Sequence, residues 1–346
     1  MMRLAMLLPG ALQTASGGHA YDRAIIAGLR ALGHDVQVIE LAGCHPLPDA
    51  AAIASAMAAW DGLAADVLPV IDGRCLPAFH ARAEALPGRH AVALLHHPTA
   101  PPAEDDTATR ARLQDAARDL LPRFARVVVT SEAIADRLPA GFGIDAARLH
   151  VVVPGTPDAA RSTGSGGPGC EILSVGALVP RKGHDVLLRA LSRLPDLEWR
   201  LTIVGATGQD PAHARALAAL AEQLGIAARV SFAGEPGAEA LEALWQGADL
   251  FALATRRDGH GMAIAEALRR GLPVAITAGG AAGQRVTPQS GVVCAVEDEA
   301  TLSKSLRRLI FDVRLRHTVA ATAWEVGRAL PDWTAQSRAF ATAIAP

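Results

Sequence analysis

Lysine is nearly absent from this 346-residue chain: Lys182 and Lys304 stand alone in a basic set that is otherwise arginine. Such a bias toward Arg, Ala and Gly reflects a GC-rich genome rather than a function. Charged residues make up 20% of the chain and the formal net charge is −2, which excludes the basic excess of a nucleic-acid binder. The four cysteines, Cys44, Cys75, Cys170 and Cys294, are scattered. No C-x-x-C and no zinc spacing occurs, so free thiols in a reducing compartment and no bound metal are expected. No stretch approaches the ~20 apolar residues of a membrane span. The amino-terminal "MMRLAMLLPGALQ" has too short an apolar core for a signal peptide and reads as a buried strand. These absences together lead us to expect a soluble, cytoplasmic protein. The G-x-G-x-x-G turn is also missing. That argues against a nicotinamide dehydrogenase, although Glu40 ends the second expected strand where a ribose-binding acid could stand. A two-lobed solute-binding protein would need an export signal, and none is seen.

What is present is apolar: half of the residues are hydrophobic, enough for two cores in a chain of this length. Short apolar runs alternate with helical stretches. Strands are expected at 3–8, 35–40, 66–71, 90–96, 126–130 and 149–153, with helices near 18–32, 49–61 and 107–122. The segment "PGTPDAARSTGSGGPGC" then breaks the pattern with Pro, Gly and Ser, as a hinge or linker does. The pattern restarts with strands at 171–175, 198–204, 229–233, 249–254 and 273–277. Helices are expected between these strands and over 298–328 and 333–344. This predicts an α/β protein of two parallel-sheet domains. Their bounds are 1–154, a linker at 155–170, 171–330, and a final helix at 331–346 that could return to the first domain. Ligands of such sheets bind at the carboxyl ends of strands, which points to a cleft between facing domains.

Four stretches carry candidate chemistry. In "TRRDGHGMAIAEALRRGLPV", Asp258-Gly259-His260-Gly261 forms a glycine-flanked turn after a strand, and a slim helix starting near Met262 carries Glu266. Open amides at a helix amino end, with about half a positive charge behind them, suit an anion. Glu266 leans toward the same end, and with Asp258 it could grip hydroxyls on either side of a phosphate, as a nucleotide sugar offers. A plainer reading places Glu266 on a solvated face, paired with Arg270 at i+4. In "SVGALVPRKGHDVLLRAL", Arg181 and Lys182 lie in a strand-to-helix turn and suit a diphosphate, unless the turn is merely solvated surface. Gly17-Gly18 would allow close backbone approach after the first strand. His96 and His97 end a later strand, and His96, nearer the strand, is the better candidate for a sugar contact. The arginine-rich helix near 107–122 has mixed charge and reads as a solvated face, with peripheral membrane contact a minor alternative. Trp245 and Trp333 read as packing residues.

Taken together, these stretches resemble the retaining glycosyltransferases of family 4, which have the GT-B fold of two Rossmann-like domains facing across a cleft. The motifs are Gly17-Gly18, His96, "VGALVPRKG" and "DGHGMAIAEA", with further likeness in "RVSFAG" and "GLPVAIT". The resemblance implies a hexosyltransferase that uses a nucleotide-diphospho-sugar as donor and needs neither cofactor nor metal. It implies that Glu266 holds the ribose and that Asp258 and the amides of Gly259, His260, Gly261 and Met262 hold the sugar and phosphates. Arg181 and Lys182 would neutralise the diphosphate, Gly17-Gly18 would approach it, and His96 would contact the sugar near its reacting carbon. Two departures stand out. Asp258 replaces the family's glutamate, and Ala177 stands where the family often has arginine. They motivate an alternative, a catalytically silent relative that binds nucleotide sugars. The acceptor is not legible.

Overall fold

The computed structural model describes residues 1–96, 107–280 and 282–345, and these divide into two compact units. The first comprises Met1–Gly155 and Trp333–Pro346, the second Thr156–Asp332. His97 lies outside the described residues. Among the described residues, no helix is long and apolar enough to cross a membrane.

The first unit is built on six parallel strands, β1 (Arg3–Pro9), β2 (Asp35–Leu41), β3 (Leu68–Asp72), β4 (Val92–Leu95), β5 (Arg126–Val129) and β6 (Leu149–Val151). Their order is β2-β1-β3-β4-β5-β6. From Leu4 to Leu8 every β1 side chain is buried, as expected of a parallel strand covered on both faces. The helices are α1 (Gly17–Ala31), α2 (Ala50–Gly62), α3 (Thr107–Leu120), and the short α4 (Glu132–Ala135) and α5 (Leu138–Phe142). Ser16 and Asp49 start α1 and α2 by accepting from the amides of His19 and Ala52. On α3, Thr109, Leu113, Ala117 and Leu120 are buried, and the arginines lie outside that stripe. An irregular 3-10 stretch, Leu76–Ala85, had no periodic signal because its apolar residues follow neither a helical nor a strand period.

The second unit repeats the plan with β7 (Cys170–Val175), β8 (Trp199–Val204), β9 (Val230–Gly234), β10 (Leu250–Leu253), β11 (Val274–Thr277) and β12 (Gly291–Cys294). The order is β12-β11-β10-β7-β8-β9. Its helices are α6 (His184–Ser192), α7 (Pro211–Gln223), α8 (Ala238–Gly247), α9 (Met262–Arg269), α10 (Glu299–Phe311) and α11 (Val313–Ala329). The stretch expected as one helical region over 298–328 is broken at Asp312, whose carboxylate caps the Leu315 amide and restarts the helix. The Pro/Gly/Ser segment has no helix or strand before Cys170 opens β7, yet it is tied down. Ser162 Oγ donates to the carbonyls of Gln246 and Ala248, and Asp249 accepts from the Ser165 and Glu171 amides.

The last helix, α12 (Trp333–Ile344), belongs to the first unit and packs on α1. Contact is close because Gly28 of α1 faces Ser337: a Cβ at Gly28 would collide with that serine's side chain. Phe340 and Ile344 complete the packing, fully buried beside Ile25, Ile26 and Leu29. In both sheets the strand order reverses once, between β1 and β3 and between β7 and β10. A crevice opens at the carboxyl ends of strands at such a switch point. Gly28→Leu should overpack the α1–α12 contact and cost about 1–3 kcal/mol, read as a lower urea midpoint at unchanged slope.

Candidate functional site

The second unit's switch point lies between the turn after β7 and the segment after β10, and hydrogen bonds stitch the two together. The Arg181 carbonyl accepts from the amides of Arg256 (2.9 Å) and Arg257 (3.3 Å) and from Thr255 Oγ1 (3.1 Å). Gly183 makes this approach feasible. It has φ +63°, and a Cβ there would strike the Ala254 carbonyl. Lys182 lays its stem over Gly176 and points its Nζ at Asp258 Oδ2, 2.6 Å away. The side chains of this ion pair are only 12% and 9% exposed, so water screens it weakly. Removing one partner of such a pair typically costs about 3–5 kcal/mol. Burial opposes the Asp258 carboxylate. The Lys182 charge and hydrogen bond, with the His260 and Gly261 amides, outweigh burial and hold its carboxyl well below the usual range.

Those two amides correct one expectation. The turn Asp258–Gly261 was read as carrying open N–H groups for an anion. In the structure Asp258 Oδ1 accepts from both His260 N and Gly261 N at 3.2 Å. The aspartate acts as the turn's own anion, because its short side chain folds back two and three residues as in an Asx turn. Gly261 takes φ +63° just before α9 starts at Met262.

Glu266 is half-buried on α9, and no described residue donates a hydrogen bond to its carboxylate. Its i+4 partner Arg270 is 3.8 Å away but makes its close bond, 2.6 Å, to Glu242, and lies over the Trp245 ring. The plainer pairing therefore exists only as a loose contact. Burial raises the Glu266 pKa, Arg270 lowers it and Glu242 raises it, with a net rise. The Arg181 guanidinium makes no hydrogen bond with any described residue; burial lowers its pKa while Asp258 supports its charge. Nearby Arg256 is occupied by Asp185 at 2.8 Å and by Glu297. The structure thus brings Arg181, Lys182, Asp258, His260 and Gly261 together, with Gly259 half-buried inside the same turn.

In the first unit, Gly17 and Gly18 form the first turn of α1, and a Cβ on Gly18 would press on the His96 ring at 3.3 Å. His96 is buried, with Tyr21 edge-on at 5.2 Å. Its Nε2 lies 3.0 Å from Asp22 Oδ1 and 3.6 Å from Asp72 Oδ2. The Nε2 of His96, the residue expected to contact a sugar, is thus engaged by protein carboxylates. Asp22 and Asp72 were not singled out from the sequence; an acid closing the strand "LPVID" was the available signal. Their ligand atoms and that of His96 all lie within 4.8 Å of one another, so among the described residues these three could hold a metal ion. Burial and the charge of Asp22 raise the Asp72 pKa, against the lowering effect of His96. Burial opposes a charge on His96, but Asp22 and then Asp72 outweigh it, so the His96 pKa is raised.

Residues 158–325 match the family model described as glycosyl transferases group 1. The chain is similar to the D-inositol 3-phosphate glycosyltransferase of Rhodococcus opacus (strain B4), 32% identical over 59% of this chain and 50% of that one. It is likewise similar to the enzyme of that name from Mycolicibacterium smegmatis, 30% identical over 61% and 54%. The chain spans about half the length of these curated relatives. Among solved structures it resembles sucrose-phosphate synthase from Thermosynechococcus elongatus, with TM-score 0.84, 18% identity and coverage of 99% and 98%. Anabaena Alr3699/HepE in complex with UDP-glucose gives TM-score 0.79 and 20% identity, covering 99% of both chains. The fold is GT-B.

A raised histidine pKa adds stability that is complete below the unfolded value of about 6.5 and is lost as pH rises through the folded value. His45, His150 and His184 are lowered by burial and act below that range. As pH rises above about 6.5 the wild-type urea midpoint should therefore fall, and His96→Gln should flatten the fall. An equal decline in the variant would contradict the raised pKa of His96.

Proposed function

Membership of residues 158–325 in the glycosyl transferases group 1 family is the premise from which we propose that this protein is a retaining, metal-independent hexosyltransferase using a nucleotide-diphospho-sugar. The observation that carries the proposal is the Lys182–Asp258 pair at the β7/β10 switch point, with the unspent guanidinium of Arg181 and the unspent acid of Glu266 on the same elements. Glu266 offers two acceptors, the complement of a ribose diol. Arg181 and the remaining protons of Lys182 offer donors to a diphosphate.

In the reaction, the bond from the anomeric carbon to the β-phosphate oxygen breaks, and its electrons go to the departing diphosphate. The acceptor hydroxyl oxygen bonds to that carbon on the same face, and its proton passes to the leaving phosphate oxygen. Negative charge grows on the diphosphate as the sugar becomes oxocarbenium-like. Lys182, already held by Asp258, stabilises that charge without reorganising, and the uncommitted Arg181 guanidinium adds a second positive charge. Asp258 positions Lys182 and shapes the turn, and so contributes through the lysine and the loop. His96, held by two aspartates, would present the buried edge of its ring and its charge near the first unit's glycine turn.

The experiment is release of nucleoside diphosphate from a panel of UDP- and GDP-sugars, beginning with UDP-glucose, the ligand named for Alr3699/HepE. Turnover of one donor, to acceptor or to water, supports the reading. Binding without turnover would instead favour a silent relative. Glu266→Ala should weaken nucleotide affinity roughly ten- to hundredfold by titration calorimetry, and unchanged affinity would remove the ribose role.

A further inference from the structure

After β11 the chain folds back through Gly279 and Gly280 onto Asp258. The Asp258 amide donates to the Gly279 carbonyl at 2.9 Å, and Asp258 and Gly280 form a parallel bridge. A Cβ at Gly279 would collide with the Thr255 carbonyl, and one at Gly280, where φ is +74°, with the Asp258 carbonyl. Thr277 Oγ1 adds a bond of 2.6 Å to the Thr255 carbonyl. Only glycine lets this loop close so tightly. The single turn that follows, Ala282–Arg285, brings in a guanidinium.

The Arg285 side chain makes no hydrogen bond with any described residue, and its Nη1 is buried without a partner. A buried, unsatisfied guanidinium nitrogen is costly, and in a native protein such a group calls for an explanation. Asp258 is the acid that supports its charge, as it does for Arg181. Yet Asp258 is already committed to Lys182 and to two amides. The other acids around this turn, Asp185 and Glu297, are taken by Arg256. Three cations from two separate loops therefore share one carboxylate, which leaves two positive charges in excess.

We propose that Arg285 is a further ligand for the donor's anionic group, completing with Arg181 and Lys182 a three-cation cradle for a diphosphate. This rests on the donor reading above. An arginine fork suits the paired oxygens of a phosphate, and a dianion matches the excess charge. A carboxylate on the sugar would offer the same chemistry, so the test separates the two sources.

Titration calorimetry on the full chain compares wild type, Arg285→Gln and Arg285→Lys with UDP, UMP, UDP-glucose and UDP-glucuronic acid, and again with GDP and GMP. Arg285→Gln should lose roughly tenfold or more for the diphosphates and much less for the monophosphate. Arg285→Lys should recover part of the loss, and equal melting temperatures would show that the fold is kept. Equal affinities in Arg285→Gln and wild type would overturn the assignment while leaving the donor reading intact. A loss confined to UDP-glucuronic acid would overturn the diphosphate assignment in favour of a sugar carboxylate. Failure of wild type to bind any nucleotide would remove the donor reading and this inference with it.

Discussion

The buried ion pair between Lys182 and Asp258 is the interaction on which the second unit's site depends. It joins the turn after β7 to the turn after β10, the two strands between which the strand order reverses. Burying two charges is costly unless their remaining donors and acceptors are satisfied. Here the carboxylate's second oxygen takes two backbone amides, which also fixes the turn that opens α9. The glycines at 183, 279 and 280 are consequences of the same closeness, because each lies where a Cβ would strike a backbone carbonyl. Ligand geometry is thus set before any ligand arrives, the condition under which fixed charges stabilise a transition state most effectively.

The first unit solves a similar problem with other residues. His96, Asp22 and Asp72 are buried at the start of α1 and the carboxyl ends of β3 and β4. Two carboxylates so close repel, which helps to raise the Asp72 pKa, and the same two acids favour the charged form of His96. Tyr21 packs edge-on against the ring and sends its hydroxyl to the Val152 carbonyl, while Trp333 of α12 packs on Tyr21. The returning helix therefore helps fix the environment of the buried histidine.

Much of the fold was legible because buried parallel strands read as unbroken apolar runs. β12 was missed, since Gly291–Cys294 is four residues long and opens on a glycine. The turns carrying Lys182 and Asp258 were legible because each is contiguous and punctuated by glycine. What those residues do to each other was not. A carboxylate folding back on its own turn is a matter of side-chain torsion, and the sequence shows only that Asp258 is short. Arg285, Asp22 and Asp72 went unremarked for a topological reason. Each gains significance only when a distant strand end is brought beside it. In a chain whose cations are almost all arginine, one more arginine gives no local signal.

The Lys182–Asp258 pair holds the two switch-point turns together as a unit. A double-mutant cycle in urea tests it directly, using Lys182→Met, Asp258→Asn and the pair combined. Each single change should be costly, and the double should cost clearly less than their sum, with a coupling of about 2 kcal/mol or more, within the range known for contacting residues. Additive costs would mean that the two side chains are neighbours without being partners, and the account of the site would fail.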